Sequence, residues 1–175
     1  MISRFLAGFL LFMGLLMPSA LAETTSVEIK IAVRTVSFLQ SPPAGEQPVH
    51  IVFDPATPAS QADADAIAAA MAGGMDAGNT TLVPKLTPLE QAGDVPDGGI
   101  VLIPQGTQAH HGAIAAATEG RMILSMSTDL ACVRAGHCAV GIESTPKVKI
   151  LVNRAVVLTE GIKFSSGFLL LVEQI

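Results

Sequence analysis

Cys132 and Cys138 are the only two cysteines of the chain, with Val133-Arg134-Ala135-Gly136-His137 between them. Three chemistries suit such a pair. In an exported protein an isolated pair reads as a structural disulfide, and Gly136 supplies the backbone freedom a tight loop needs. A redox-active pair is the first rival, although its usual form is Cys-x-x-Cys at a helix start. A zinc site using both sulfurs, His137 and another histidine is the second.

The other reactive side chains form weaker patterns. His110 and His111 are adjacent, so on a helix they point about 100° apart and do not share one ion easily. No His-x3-His spacing accompanies them or His50, and surface histidines are the expected reading. Asp63 and Asp65 follow Ser60 and are expected to decorate the first turn of a helix, where carboxylates suit the helix dipole. Gly73-Gly74-Met75-Asp76-Ala77-Gly78 lies after a helix and before a strand, which is the wrong order for a phosphate loop. Phe164-Ser165-Ser166-Gly167 lacks the Gly-x-Ser-x-Gly elbow of hydrolases and reads as a helix cap. Met122 and Met126 read as packing residues of a buried strand. No metal site and no cofactor site is assigned.

The elements that must position these residues alternate along the chain. Thr25 to Leu39 carries apolar residues at helical spacing, and Ser41-Pro42-Pro43 stops it. Val49 to Phe53 reads as a buried strand. Ser60 is expected to cap a helix through Met71, ended by Gly73-Gly74. Thr80 to Leu86 reads as a strand interrupted near Pro84, and Thr87 to Gly99 as a loop. Ile100 to Ile103 is a continuous apolar strand of the type buried on both faces of a parallel sheet. A short helix over Thr107 to Thr118 and a strand over Met122 to Met126 follow. Ala139 to Glu143 and Lys147 to Val152 flank Ser144-Thr145-Pro146 and read as an antiparallel hairpin at the sheet edge, its lysines discouraging further pairing. Arg154 to Thr159 and a segment capped by Ser165-Ser166 are the last helices. The expected fold is α/β: a single domain with a mixed, mostly parallel sheet, helices on both faces and a C-terminal β-hairpin.

The first 22 residues bear on location. One positive charge at Arg4, an apolar run from Phe5 to Met17 and the exit Ala20-Leu21-Ala22 form the pattern of a signal peptide cleaved after Ala22. The remaining domain, residues 23–175, is expected in the periplasm. Without Arg4, nine basic residues face fifteen acidic ones, a net charge of −6. No basic stripe is present, which argues against nucleic acid as a partner. Trp and Tyr are absent, which weakens any sugar-stacking reading.

The ordered set of motifs resembles a known family. It comprises an N-terminal helix beginning Val27-Glu28-Ile29-Lys30, a strand ending Ile123-Leu124-Ser125, Asp129 before the first cysteine, and Gly136 before the second. Lys147-Val148-Lys149-Ile150-Leu151-Val152-Asn153 follows, then Gly161-Ile162-Lys163-Phe164-Ser165-Ser166 and a leucine-rich segment. This looks like the YfiR/HmsC family of small periplasmic proteins, best over residues 120–172 and more loosely over 26–39. The resemblance implies a non-enzymatic regulator, often a homodimer. Such a regulator binds the periplasmic sensor domain of a membrane-bound diguanylate cyclase and holds the enzyme inactive, lowering cyclic di-GMP and biofilm formation. It also implies that Cys132 and Cys138 form the family's C-terminal disulfide, tied to redox control of repression, and that Asn153, Ser165 and Ser166 are mainly structural. The chain departs from the family where the first helix ends, reading Phe38-Leu39-Gln40-Ser41-Pro42 in place of an aromatic-Trp-Pro end. It also lacks the second cysteine pair that some members carry. The alternative is a small periplasmic ligand-binding protein associated with transport. The sequence offers no motif for an exported enzyme.

Overall fold

The computed structural model describes residues 23–175; the expected signal peptide lies outside the described residues. The first helix, α1 (Ser26–Val36), starts where the sequence supplies a complete capping box. The Thr25 hydroxyl accepts the Glu28 amide at 3.2 Å and the Glu28 carboxylate accepts the Thr25 amide at 2.7 Å. Ile29, Ala32, Val33 and Val36 fall on one side of it and are buried, the spacing of a core-facing stripe.

After α1 the chain alternates strand and helix. β1 (Gly45–Phe53) leads to α2 (Pro58–Ala70), then β2 (Met75–Ala77) and β3 (Thr80–Pro88). A 3₁₀ turn at Leu89–Asp94 connects to β4 (Ile100–Ile103), followed by α3 (His111–Thr118), β5 (Leu124–Ser127) and the five-residue α4 (Leu130–Arg134). The chain closes with β6 (Val140–Glu143), β7 (Lys149–Val152), α5 (Arg154–Thr159), α6 (Ser166–Leu169) and β8 (Glu173–Gln174).

All eight strands form one sheet in the order β2-β3-β1-β4-β5-β6-β7-β8. The run β3-β1-β4-β5-β6 is parallel, whereas β2 pairs antiparallel to β3 and β7 antiparallel to β6. The C-terminal hairpin is therefore β6–β7, with Val140 opposite Val152 and Glu143 opposite Lys149. It is not the outermost pair, because two residues of β8 add in parallel outside β7. Lys149 reaches Glu173 of that last strand at 2.9 Å.

Alternation along the strands separates two cores. Val49, Ile51 and Phe53, with Ile100 and Leu102, join α1, α2 and α6 on one face. Val52, Val101 and Ile103 join Ile114 of α3 and Leu130 and Val133 of α4 on the other. Helices on both faces follow from the connections: from β1 the chain moves one way to β3, then returns past β1 to β4 and on to β6. A right-handed crossover in each direction puts its helix on opposite faces. The gap between β1 and β4 is thus a topological switch point, whose carboxyl edge is the usual ligand crevice of such sheets.

Several expectations shift by a few residues. β3 runs through Pro84 without a break, because its outer partner β2 stops at the Met75–Leu82 pair and no neighbour there needs the missing N–H. Thr57, not Ser60, stands before α2, with Pro58 at its start. The Ser60 hydroxyl instead accepts the Asp54 amide at 3.0 Å. Met122 lies outside β5 with φ 58° and is 60% exposed, so of the two methionines only Met126 packs in the core.

Candidate functional site

The C-terminal motif residues converge on the second face. Cys132 and Cys138 are disulfide-bonded, with Cα atoms 5.4 Å apart and both residues fully buried. The bridge ties the middle of α4 to the residues just before β6. Asn153 sits beneath it at the end of β7. Its Nδ2 donates to the Val133 carbonyl at 2.9 Å, its Oδ1 accepts the Val156 amide at 3.1 Å as the cap of α5, and its own amide donates to the Ala139 carbonyl. Ser125 completes the arrangement, its hydroxyl accepting the Ala139 amide at 3.0 Å. One asparagine and one serine thereby fix both ends of the disulfide loop to β5 and α5.

Ser165 and Ser166 lie apart from this cluster. Ser165 caps α6, its hydroxyl accepting the Phe168 amide at 3.4 Å, and its own amide donates to the Phe38 carbonyl at 2.8 Å. Ser166 is exposed at the first position of the helix. Here the end of the first helix meets the last helix. Phe38, just past α1, stacks on Phe168 at 4.9 Å between ring centroids, and Phe164 packs on Phe168 at the same separation.

Beside the disulfide loop an open cavity of about 390 Å³ lies between α3 and α5. α4 is too short to cover the sheet there, so Ser125 and Asn153 line the cavity, with Ala115 and Ala116 of α3 on one side, His137 of the loop, and Glu160 at the end of α5. Glu160 is buried, and its carboxylate accepts the amides of Gly120 and Arg121 at 3.0 and 3.2 Å.

Two histidines, His50 and His111, differ from the surface reading. His50 is 2% exposed on β1, with Nδ1 3.0 Å from the Thr87 hydroxyl and Nε2 without a hydrogen-bond partner among the described residues. Burial, assisted by Lys85, holds its imidazole below the usual histidine value. His111 is also buried. Its Nε2 lies 3.3 Å from the Thr107 hydroxyl, and burial, with smaller effects of His137 and His110, outweighs the opposite pull of Asp129 and lowers its pKa. His110 turns the other way, to within 3.2 Å of the Asp54 carboxylate. Hydrogen bonds from the Thr57 hydroxyl and the Ala56 amide lower the pKa of Asp54.

Asp63 does not decorate a first turn. It is buried at mid-helix and accepts hydrogen bonds from Thr24 and from the Gln105 amide. Asp65, two residues on, is exposed and accepts from the Gln61 side chain. Among the described residues no three His, Cys, Asp or Glu side chains stand where they could hold a metal ion.

Sequence reasoning missed the roles of Glu28, Asp63 and Ser125, whose partners lie 116, 42 and 14 residues away. Only the spacing of Thr25 and Glu28, a capping-box signature, was readable locally. Compared with known proteins, the chain matches no family model and no curated sequence.

Proposed function

We propose that this chain is an exported regulatory protein that binds the periplasmic sensor domain of an inner-membrane diguanylate cyclase and holds the cyclase inactive. The observation that carries the reading is how the resembling motifs are used. Cys132, Cys138 and Asn153 form one bonded unit, and the ends of the first and last helices pack through Phe38 and Phe168. These are the two stretches, 26–39 and 120–172, on which the resemblance rests.

The mechanism is a population shift. A protein that binds the inactive cyclase state more tightly than the active one displaces the equilibrium by that difference and by no more. No catalytic step is assigned to the chain. The exported domain, residues 23–175, should therefore co-purify with the periplasmic domain of a membrane cyclase from the same cell. It should also lower the activity of that cyclase in reconstituted membranes. A cyclase whose activity is untouched by saturating amounts of the domain contradicts the proposal.

A second reading has an observation of its own. The cavity of about 390 Å³ between α3 and α5 is in the size range of small-molecule sites. It supports a small periplasmic ligand-binding protein, and thermal-shift screening of metabolites without any cyclase present tests that alternative.

A further inference from the structure

We infer that Thr24–Glu28 is a latch: it fills the carboxyl edge of the sheet near the switch point and clamps both flanks of the disulfide segment, so its opening controls access to the Cys132–Cys138 bond. Thr24 is 9% exposed. Its amide and its hydroxyl each donate to the Asp63 carboxylate at 2.7 Å, and its hydroxyl lies 2.8 Å from that of Thr128. The Gln105 amide donates to the same carboxylate at 2.8 Å, and the Gln105 side chain donates to the Thr128 hydroxyl at 3.2 Å. The hydroxyls form a directed chain, Gln105 to Thr128 to Thr24 to Asp63, ending on a buried carboxylate.

The second grip is at the other end of the segment. The Glu28 carboxylate accepts the Ser144 amide at 2.9 Å and the Ser144 hydroxyl at 3.0 Å, and the Thr25 hydroxyl lies 3.1 Å from that of Ser144. Thr128 precedes α4, which carries Cys132, and Ser144 follows β6, which begins just after Cys138. The start of α1 therefore holds the disulfide segment before its first cysteine and after its second. Both cysteines are fully buried, so an attacking thiolate reaches a sulfur only when the structure opens. Releasing the latch frees the flanks while the sheet stays paired, an opening smaller than global unfolding.

The test is the rate at which dithiothreitol reduces the oxidised domain, residues 23–175, read by alkylating new thiols and weighing the protein. Each dithiol passes two electrons to the protein disulfide, giving two cysteine thiols and a cyclic disulfide of the reagent. Thr24→Val removes only the linking hydroxyl and Asp63→Asn weakens the acceptor. Each should speed reduction about tenfold or more, the effect of losing charge-assisted hydrogen bonds. Gln61→Ala, which loses only a bond to exposed Asp65, should leave the rate unchanged. In the wild type, low urea should change the rate little, since latch opening exposes little surface. A Thr24→Val rate equal to wild type, or a wild-type rate that rises with urea as steeply as global unfolding, overturns the inference. Should Asp63→Asn fail to fold, Thr24→Val and the urea dependence still decide it.

Discussion

Asn153 joins the disulfide helix, the residue after Cys138 and the start of α5 through one residue. Asn153→Ala removes a helix cap and a buried hydrogen bond together, so it should cost about 2 kcal/mol in urea unfolding. Asn153→Ser keeps a capping oxygen but is too short to reach Val133, and should recover about half of that loss. His50 sets a different kind of dependence. Its folded pKa lies below the ordinary value of 6.5, so the unfolded chain takes the proton more readily. The stability due to neutral His50 is complete above about pH 6.5 and drains away as pH falls below it towards the folded pKa. His111 is lowered too and adds to the same window. Melting temperature should therefore fall on acidification from about pH 7 to pH 5, and fall less steeply in His50→Leu.

The elements divide by what their sequence could reveal. Ile100–Ile103 lies where its apolar run places it, because four consecutive buried apolar residues need no distant information, and Arg154–Thr159 is the short helix expected there. The hairpin was equally legible from alternation across Ser144-Thr145-Pro146. β2 was not, since three residues after two glycines carry no period, and it exists only because β3 offers an edge. Pro84 misleads for the same reason: whether a proline breaks a strand depends on the neighbour beside it. The disulfide was readable from its spacing and the export pattern, whereas the Asn153 and Ser125 bonds that seat it require the fold. Two element-scale changes test this packing. Cys132→Ser opens the short loop and should cost roughly 2 kcal/mol by the chain-entropy account, read as a lower urea midpoint. Phe168→Ala removes the ring on which Phe38 and Phe164 pack and should cost about 3–5 kcal/mol, loosening the contact between the first and last helices as read by amide exchange at Leu39 and Gln40.

At the scale of the molecule, the doubly wound order places a usual ligand crevice at the carboxyl edge of β1 and β4, and this chain fills part of that edge with Thr24 and Asp63. One open cavity lies beside the disulfide loop, and another of similar size lies by Gly98–Ile100 and Gly161–Lys163. Leu158, Leu170, Leu171 and Ile175 in the last part of the chain are exposed, as are Val27, Leu86, Met122 and Val148 elsewhere. The fold alone serves a ligand receptor as well as a regulator, so the decision belongs to a cellular readout. The most direct measurement is cyclic di-GMP in cells lacking this gene, compared with the same cells making the full chain. The account predicts a rise on deletion that the restored protein reverses. Equal cyclic di-GMP in both, in cells shown to contain the folded protein, would contradict it.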